Sequence, residues 1–387
     1  MSFIKDCVKL ILYEFINFLI SPSKTIQPKS ILLIRLDAIG DYILFRNFIE
    51  ILKTSDKYKD YSITLVGNIA WRELSETLDG KFIDRFIWIN TKIIGKNLFY
   101  RYKKFKEITS TGYEVVIAPV YSRDFFYTDA IVKIVNAREK IGSEGDLTIM
   151  KKWQKKLSDK YYTKLIPAKT EVMFEFYRNK EFFENLLGAK IIIKKPFIKL
   201  NEIYINFNLP ENYALIFIGA SASYRKWNME GFAEIAKYLR SNFGYEIVLC
   251  GSKEDIKNAK LFAKYYGEEF INLVGKTSLL ELLIVISKSS LVLSNETSVP
   301  HMAVALDVKN IFVIYNGRHY GRFTPYPKEM VSNYCVICHP EIESNPEEYK
   351  KLSNRPGYVS KLNINEITVD MVKEKIEKVL RCSQHTK

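Results

Sequence analysis

Few cysteines and no long apolar run are the first features of this sequence, and both limit what the protein can be. The five cysteines are odd in number and sparse over 387 residues, which argues against a disulfide framework and indicates a reducing compartment. No stretch reaches the roughly 18 consecutive apolar residues that a membrane-spanning helix needs. No internal repeat or low-complexity tract is visible, which argues against a solenoid. We therefore expect a globular cytoplasmic protein.

The charge of the chain is unbalanced. Lys and Arg number 58 against 44 Asp and Glu, a formal net charge of +14. Such an excess predicts an acidic partner, which can be a phosphate group, a nucleic acid or an anionic membrane surface. Residues 151–169 carry seven lysines against the single Asp159, a net charge of +6. That segment is either a solvated charged face or a surface that binds anions.

Length and pattern together predict two domains. A chain of 387 residues exceeds a typical single core, and from Ser30 onward β-rich runs alternate with helical patterns, as in parallel sheets flanked by helices. The predicted strands are 31–36, 62–67, 82–89, 114–120, 213–219, 246–252, 270–275, 291–295 and 310–315. The sequence therefore predicts an α/β protein with two doubly wound, Rossmann-like domains facing a central cleft. The predicted divisions are an N-terminal segment and linker (1–29), a first domain (30–205), a second domain (206–363) and a C-terminal helix and tail (364–387).

Both ends of the chain have helical periodicity. Between residues 3 and 20 a polar side chain recurs every four positions, which leaves a broad apolar face on a helix. These polar residues are Lys5, Lys9, Tyr13 and Asn17. Such a helix either lies in the membrane interface or packs on the protein's own body. Residues 21–30 are predicted to be a linker, and residues 364–382 a helix that packs on the body.

Loops that follow strands are the candidate sites, because ligands of open α/β sheets bind beyond the carboxyl ends of the strands. Loop 219–227, GASASYRKW, joins small residues to two positive charges and suits a diphosphate, although it could also be a polar turn. Loop 294–306, SNETSVPHMAVAL, opens a helix near Pro300 whose first amides favour an anion. The candidate residues are Gly219, Ser221, Arg225 and Lys226 in the former and Glu296, Thr297, Ser298 and His301 in the latter. His301 could instead be a half-buried structural histidine.

A third candidate loop lies within RLDAIGDYILF, residues 35–45. Here Asp37 and Asp41 stand on either side of Gly40, where a strand gives way to a helix. An aspartate at such a turn is often only a helix cap, so the pattern alone does not assign a chemical role to either residue.

Three segments resemble, in order, the signatures of glycosyltransferase family 9, the heptosyltransferase family. IRLDAIGDYILFRNFIEILK resembles its N-terminal signature, in which a strand runs into a small-residue loop ending in Gly-Asp. GASASYRKWNMEGFAEIAKYL resembles the middle stretch, and SNETSVPHMAVALDV resembles the second signature, which is usually closer to S-N-D-T-G-x-x-H-x-A-A-A-L. The similarity covers about residues 30–340.

The resemblance implies a GT-B fold and an inverting glycosyltransferase that works without a bound metal or other cofactor. It implies that Asp41 is the catalytic base, that Arg225 or Lys226 meets the donor diphosphate, and that the 296–301 signature binds the donor. The implied donor is a nucleotide-sugar, with ADP-heptose among the candidates. The implied acceptor is a phosphorylated, lipid-linked saccharide of the lipopolysaccharide core or a related glycan, met at the inner face of the bacterial cytoplasmic membrane. The acceptor-side candidates are Asp37, Arg123, Lys151 and Lys152.

The sequence departs from the family pattern at three positions. Asp37 replaces a small residue, Glu296 replaces Asp, and Ser298 replaces Gly. Because Ser adopts a positive φ less easily than Gly, we expect the donor loop to differ in shape.

Two other functions stay open at this stage. A GT-B-like sugar-nucleotide epimerase would share the paired domains but need no acceptor. A nucleic-acid-binding protein would explain the positive charge, which is its only support.

The motif CVICH at residues 335–339 has the spacing of a c-type haem attachment site. Two cysteines and a histidine fall short of a complete zinc site, so we interpret the motif as part of the fold without a metal.

Overall fold

The computed structural model describes residues 2–200 and 205–384, and the chain forms two compact units. The first comprises Met1–Glu171 and Phe176–Ile192, and the second comprises Val172–Glu175 and Ile193–Lys387. The chain thus enters the second unit before the predicted boundary at residue 205. The reason is local, since the Ile198 amide donates to the Ala305 carbonyl at 2.8 Å and Lys195 forms an ion pair with Asp307.

The first unit is built on a parallel sheet of six strands. They are β1 (Ile26–Arg35), β2 (Ser62–Asn68), β3 (Arg85–Ile89), β4 (Gly112–Ala118), β5 (Ala137–Ser143) and β6 (Lys164–Ile166), in the spatial order β3-β2-β1-β4-β5-β6. The centre of β1, residues 31–34, is apolar and fully buried, as expected for a parallel strand covered on both faces. The order reverses between β1 and β4, which makes the carboxyl ends of these strands the topological switch point.

Nine helices belong to this part of the described chain. They are α1 (Ser2–Phe18), α2 (Ile39–Phe45), α3 (Asn47–Thr54), α4 (Arg72–Leu78), α5 (Thr91–Ile94), α6 (Leu98–Thr109), α7 (Thr128–Ile134), α8 (Lys152–Ser158) and α9 (Glu175–Leu187). The core joins apolar residues of the strands to those of α6 and α7. Among the residues described, no helix has both the length and the apolar character needed to cross a bilayer.

The second unit repeats the same topology. Its parallel strands are β7 (Tyr213–Phe217), β8 (Glu246–Cys250), β9 (Ile271–Asn272), β10 (Leu291–Asn295), β11 (Ile311–Tyr315) and β12 (Tyr334–Cys338), in the order β12-β11-β10-β7-β8-β9. The reversal here lies between β10 and β7. Each unit is therefore doubly wound with its own switch point, which confirms the predicted α/β class and the two Rossmann-like domains.

The helices of the second unit begin and end with local signals. They are α10 (Met229–Phe243), α11 (Ile256–Tyr266), α12 (Leu279–Ser287), α13 (Ser298–Ala305), α14 (Pro340–Ser344), α15 (Pro346–Ser353) and α16 (Val369–Gln384). Asn228 caps α10 by accepting from the Gly231 amide, and Gly244 ends it in the left-handed conformation. In α16, Val372, Ile376 and Leu380 are buried in the core, which confirms the predicted packing of the C-terminal helix.

Some elements differ from the predictions. Residues 26–30, predicted to be linker, form the start of β1, where Ile26 and Gln27 pair with Gly112 and Tyr113. Three strands, β5, β6 and β12, were not predicted. Strand β5 is polar over Arg138–Lys140 and β6 is only three residues long, so neither has the apolar run by which the buried strands are recognised.

Candidate functional site

The predicted site loops all lie at the switch points of the two sheets. In the first unit, residues 36–41 follow β1, and Arg123 lies in the segment after β4. In the second unit, residues 218–227 follow β7 and residues 296–301 follow β10. Because β1 neighbours β4 and β7 neighbours β10, each pair of loops meets at one edge of its own sheet.

The switch point of the first unit is organised by a buried arginine. Arg35, at the end of β1, is fully buried, and its Nε lies 2.7 Å from the Asp37 carboxylate. Its Nη1 donates to the Pro119 carbonyl at 2.8 Å and to Asn179 Oδ1 at 3.0 Å. Arg35 therefore joins the ends of β1 and β4 to α9. The sequence signal for this residue is a charge that interrupts the apolar run of β1.

Asp37 serves this same network. Its carboxylate pairs with Arg35, while its backbone carbonyl accepts from Trp71 Nε1 at 3.0 Å and from Asn68 Nδ2 at 3.1 Å. These contacts shape the turn after β1. Asp37 is predicted to act on the acceptor side, and its carboxylate is already paired with Arg35.

Asp41 lies in the first turn of α2, partly exposed. The N-cap position is Ala38, so Asp41 is not the capping residue. The next residue along the chain, Tyr42, is fully buried, stacks on Trp71 with centroids 4.6 Å apart, and donates its hydroxyl to Asp79. Asp79 also accepts from Arg46 Nη2 at 2.7 Å, so one buried carboxylate holds α2 at its middle, through Tyr42, and at its C-cap, Arg46.

The other acceptor-side candidates have structural partners. Arg123 is 1% exposed, pairs with Asp159 and lies over the Tyr162 ring at 4.9 Å. Burial opposes its charge, but Asp129 and the other acidic neighbours raise the pKa of Arg123 above its usual value. Arg123 is therefore held inside the first unit, and its acceptor-side role stays a prediction. Lys151 is exposed and pairs with Asp6 of α1, and Lys152, at the start of α8, is also exposed.

In the second unit, Asn295 ties the two predicted donor loops together. This fully buried residue ends β10; its Oδ1 accepts the Trp227 amide at 3.0 Å and its Nδ2 donates to the Ile218 carbonyl at 3.0 Å. The Trp227 indole donates to the Ile367 carbonyl at 2.8 Å. The loop after β7 is thus held against the loop after β10 by one side chain.

Two arginines flank a buried carboxylate between these loops. Arg225 Nη1 lies 3.7 Å from Glu296 Oε2, and both side chains are largely buried. Burial raises the pKa of Glu296, while Arg225 and Arg318 oppose that rise. Arg318 also donates to the Tyr224 hydroxyl at 3.1 Å. The cluster therefore holds two positive charges and one negative charge, and Glu296 Oε2 is buried without a hydrogen-bond donor.

Arg318 was missed by the sequence interpretation. It lies in the segment NGRHYGRF, which follows β11, the strand next to β10. The rule that placed the other loops at the carboxyl ends of strands applies equally here. Asn316, in the same segment, donates to the Tyr224 carbonyl at 2.6 Å and so fixes this loop to the loop after β7.

Lys226 is engaged by a helix-capping carboxylate. Its Nζ pairs with Asp255, which also accepts from the Ser252 amide at 3.0 Å and hydroxyl at 2.7 Å. A Cβ added at Gly219 would lie 2.7 Å from Asp255 Oδ2. The absence of a side chain at Gly219 therefore lets the Asp255 carboxylate lie close to the backbone of this loop. Ser221, in the same loop, is exposed.

The helix predicted near Pro300 begins two residues earlier. Thr297 is its N-cap and Ser298 its first residue, both partly exposed. The amides of the first turn have no partner within the helix, which makes this end suitable for an anion. Within the described chain, the residues other than glycine with positive φ are Lys29, Asp307 and His319. Ser298 thus starts the helix with ordinary backbone geometry, and the expected difference in the shape of the donor loop stays a prediction.

His301 lies inside the second unit. It is 5% exposed, and its Nδ1 is 2.9 Å from the Tyr326 hydroxyl. Burial lowers the pKa of His301 to about 4. The imidazole is therefore neutral near pH 7. Its burial agrees with the alternative, given by the sequence, that His301 is a structural histidine.

The CVICH segment is part of the sheet. Cys335 and Cys338 lie in β12, and His339 caps α14. Both ring nitrogens of His339 are engaged, Nε2 by Glu366 at 2.9 Å and Nδ1 by the Glu341 amide at 3.2 Å. Among the described residues, no group of three or more His, Cys, Asp or Glu side chains is arranged to hold a metal ion.

Comparison with known proteins gives one family and several related structures. The profile described as "Glycosyltransferase family 9 (heptosyltransferase)" matches residues 101–352. Lipopolysaccharide heptosyltransferase 2 of Salmonella typhimurium is 32% identical over 105 residues, which are 26% of this chain and 29% of that protein. The match thus spans less than a third of that relative.

Solved structures resemble nearly the whole chain. The family 9 glycosyl transferase of Veillonella parvula superposes with a TM-score of 0.70 at 19% identity, covering 92% of this chain and 99% of that one. Heptosyltransferase WaaC of E. coli, solved with ADP-2-deoxy-2-fluoro heptose, gives a TM-score of 0.64 at 18% identity, covering 90% and 99%. At these identities the likeness establishes the fold, and it confirms the predicted GT-B architecture.

Proposed function

The chain belongs to glycosyltransferase family 9, the heptosyltransferase family, and we propose that it transfers a sugar from a nucleotide-sugar to a hydroxyl group of a cell-surface glycan. This match confirms the family to which the sequence was likened, and the matched residues 101–352 include the second and third of the three segments. The proposed reaction inverts the anomeric configuration and needs no metal or other cofactor. A heptose is the proposed sugar, because the related E. coli enzyme was solved with an ADP-heptose analogue.

The donor site that we propose lies in the second unit, and the cluster around Glu296 is the observation that carries the proposal. Arg225, Arg318 and the start of α13 bring positive charge to one place. That arrangement stabilises the negative charge that develops on a leaving nucleoside diphosphate. Glu296 Oε2, which is buried and accepts no hydrogen bond in the protein, then accepts one from a hydroxyl group of the sugar donor. Thr297 and Ser298 add hydroxyl groups beside it.

Lys226 and His301 have supporting roles in this proposal. Lys226 is held by Asp255, so the pair orders the loop after β7 and places the ammonium group near the diphosphate. His301 is buried and neutral, so it supports the start of α13 without adding charge. The positive charge that the protein places near the donor diphosphate therefore comes from Arg225, Arg318 and Lys226.

Asp41 is the proposed catalytic base. It is a partly exposed carboxylate at the switch point of the first unit, on a helix fixed by the Tyr42–Asp79–Arg46 cluster. In the proposed step, the acceptor hydroxyl forms a bond to the anomeric carbon, Asp41 takes the hydroxyl proton, and the bond to the nucleoside diphosphate breaks on the opposite face.

The acceptor that we propose is a phosphorylated, lipid-linked saccharide of the lipopolysaccharide core or a related glycan. The match to a lipopolysaccharide heptosyltransferase supports this substrate class. The excess of positive charge in residues 151–169 suits its phosphate groups. Such an acceptor places the enzyme at the inner face of the cytoplasmic membrane.

A panel of nucleoside diphosphates and nucleotide-sugars tests the donor site by thermal shift. ADP and ADP-heptose are expected to raise the melting temperature, because a ligand of the folded state stabilises it by mass action. UDP and GDP serve as controls for the base. Product analysis with donor alone should show no epimerised sugar; an epimer formed without acceptor would contradict the transferase proposal.

The Asp41→Asn variant tests the base. We expect kcat to fall by about 10²-fold to 10⁴-fold, the usual contribution of a general base, while the dissociation constant for ADP stays unchanged. Asp60→Asn, at an exposed carboxylate in a surface ion pair with Lys29, is the matched control and should keep its turnover. Full turnover in the Asp41 variant would remove this residue from the role.

A further inference from the structure

Helix α1 is amphipathic in the reverse of the usual sense, because its polar side faces the protein. Lys9 Nζ lies 4.3 Å from the ring centroid of Phe126. Tyr13, 4% exposed, donates its hydroxyl to the Gly95 carbonyl at 3.0 Å and packs its ring on the guanidinium of Arg101. The polar stripe recognised in the sequence is therefore the packing face of this helix.

The opposite side of α1 is apolar and open. Seven large apolar side chains in α1 and directly after it are between 46% and 85% exposed. They are Ile4, Val8, Ile11, Leu12, Phe15, Phe18 and Leu19. At 3.6 residues per turn they fall within roughly a third of the helix circumference, and no charged residue lies among them. A continuous exposed apolar face of this kind marks an interaction site.

Exposed lysines lie on α1 and on the segments that contact it. On α1, Lys5 lies at the edge of the apolar face, and the ion pair between Asp6 and Lys151 places the start of α8 beside the first turns of α1. Gly95, which accepts the bond from Tyr13, is flanked in sequence by two more lysines. The exposed lysines in these segments are Lys5, Lys92, Lys96, Lys151, Lys152 and Lys156.

We propose that α1 is a membrane-binding helix that lies in the plane of an anionic bilayer. Its apolar face enters the boundary between headgroups and acyl chains, and the exposed lysines of α1 and its neighbouring segments meet lipid phosphates. The choice of lipid as the acidic partner rests on the proposed function, in which the acceptor is lipid-linked. The surface itself follows from the contacts of α1.

The charge pattern favours a bilayer over a second copy of the chain. Two copies joined through α1 would bring these lysines together, and like charges repel. An anionic bilayer offers the opposite charge together with an apolar interior. Because Lys9 and Tyr13 fix α1 on the first unit, binding through α1 also orients the first unit on the membrane.

Sedimentation of the full-length chain with vesicles tests the proposal. The chain is expected to bind vesicles of phosphatidylethanolamine and phosphatidylglycerol, and the double variant Ile11→Asp/Phe15→Asp to bind them at least about 100-fold more weakly. Both side chains are more than 60% exposed, so the variant should keep its melting temperature. Ile192→Asp, at an 89% exposed apolar residue elsewhere, is the matched control and should bind normally.

The contribution of the exposed lysines is tested separately. Lys92→Gln/Lys96→Gln should weaken binding about 25-fold, at about fivefold for each lysine near an anionic surface. Lys257→Gln/Lys260→Gln on α11 removes the same charge from the second unit and should have little effect. Equal loss in both pairs, or unchanged binding in the Ile11/Phe15 variant, would overturn the proposal. A different outcome would assign the apolar face to a second copy of the chain. In that case the unmodified chain forms a dimer and does not bind vesicles, and the Ile11/Phe15 variant is monomeric.

Transfer to a deacylated, soluble acceptor separates this surface from the proposed reaction. The Ile11→Asp/Phe15→Asp variant should keep that activity and lose vesicle binding. If no protein, unmodified or variant, shows transfer, the proposed function fails, and vesicle binding still decides the role of α1. A variant that loses the soluble activity while still binding vesicles would overturn the assignment of α1 to the membrane.

Discussion

Acidification is expected to destabilise the second unit through His301. Burial lowers the pKa of this imidazole to about 4, against 6.5 for an exposed histidine. A group whose pKa is lower in the folded state contributes stability that is fully present above about pH 6.5 and is lost as the pH falls towards 4. Each unit of pKa difference is worth about 1.4 kcal/mol. Between pH 7 and pH 5 the loss should be about 2 kcal/mol.

Thermal unfolding of the unmodified chain and of His301→Gln at pH 7 and pH 5 measures this contribution. The variant should be less stable at pH 7, because the contact with Tyr326 is disturbed, but it lacks the titrating group. On going to pH 5, the unmodified chain should lose about 4–8 °C more in the transition of the second unit than the variant does. Other groups titrate equally in both proteins, so the difference isolates His301.

Identical pH dependence in the two proteins would refute this reasoning. So would an imidazole titration by NMR with its midpoint near 6.5, which would mean that water reaches His301. A neutral His301 also means that kcat should show no inflection from this residue between pH 5 and pH 8, since the charge on the proposed diphosphate site comes from Arg225 and Arg318.

Three further substitutions test the positions of single side chains. Arg318→Met should weaken ADP binding by about tenfold to 100-fold, the value of a hydrogen bond to a charged group, with exposed Arg355→Met as the calorimetric control. Gly219→Ala should lower the free energy of unfolding by about 1–3 kcal/mol, because the new methyl group lies 2.7 Å from Asp255 Oδ2. Gly80→Ala is its control and should keep the melting temperature, because the space around Gly80 is open. Arg35→Met should lower the free energy of unfolding by about 3–5 kcal/mol, because the Asp37 charge loses its buried partner. The affinity for ADP, measured by calorimetry, should stay unchanged, which would show that the loss does not involve the proposed donor site.

The buried strands and the loops after them were accessible from the sequence. Parallel strands covered on both faces are apolar throughout, so β1 and β10 stand out as runs such as ILLI and LVL. Edge strands lack that constraint. Strand β6, at the edge of its sheet, pairs only with β5 among the described strands, and its short, mixed sequence carries no comparable signal.

The partners of the charged side chains were not accessible from the sequence. Arg123 and Arg225 both follow strands, yet Arg123 is buried against Asp159, whereas Arg225 reaches the buried Glu296. The difference arises from residues 36 and 71 positions further along the chain, and no local pattern reports such pairings. His301 is similar, because Tyr326, which occupies its Nδ1, comes from a segment with no regular structure.

Trp227 gives the proposed donor loops their own optical signal. Of the four tryptophans, Trp71, Trp88 and Trp153 belong to the first unit, and Trp227 alone lies in the second. It is 1% exposed, its amide is held by Asn295 and its indole by the Ile367 carbonyl. In a chain with the other three replaced by Phe, the emission of Trp227 would report directly on the loop after β7. Titration with nucleotides could then be followed without any added dye.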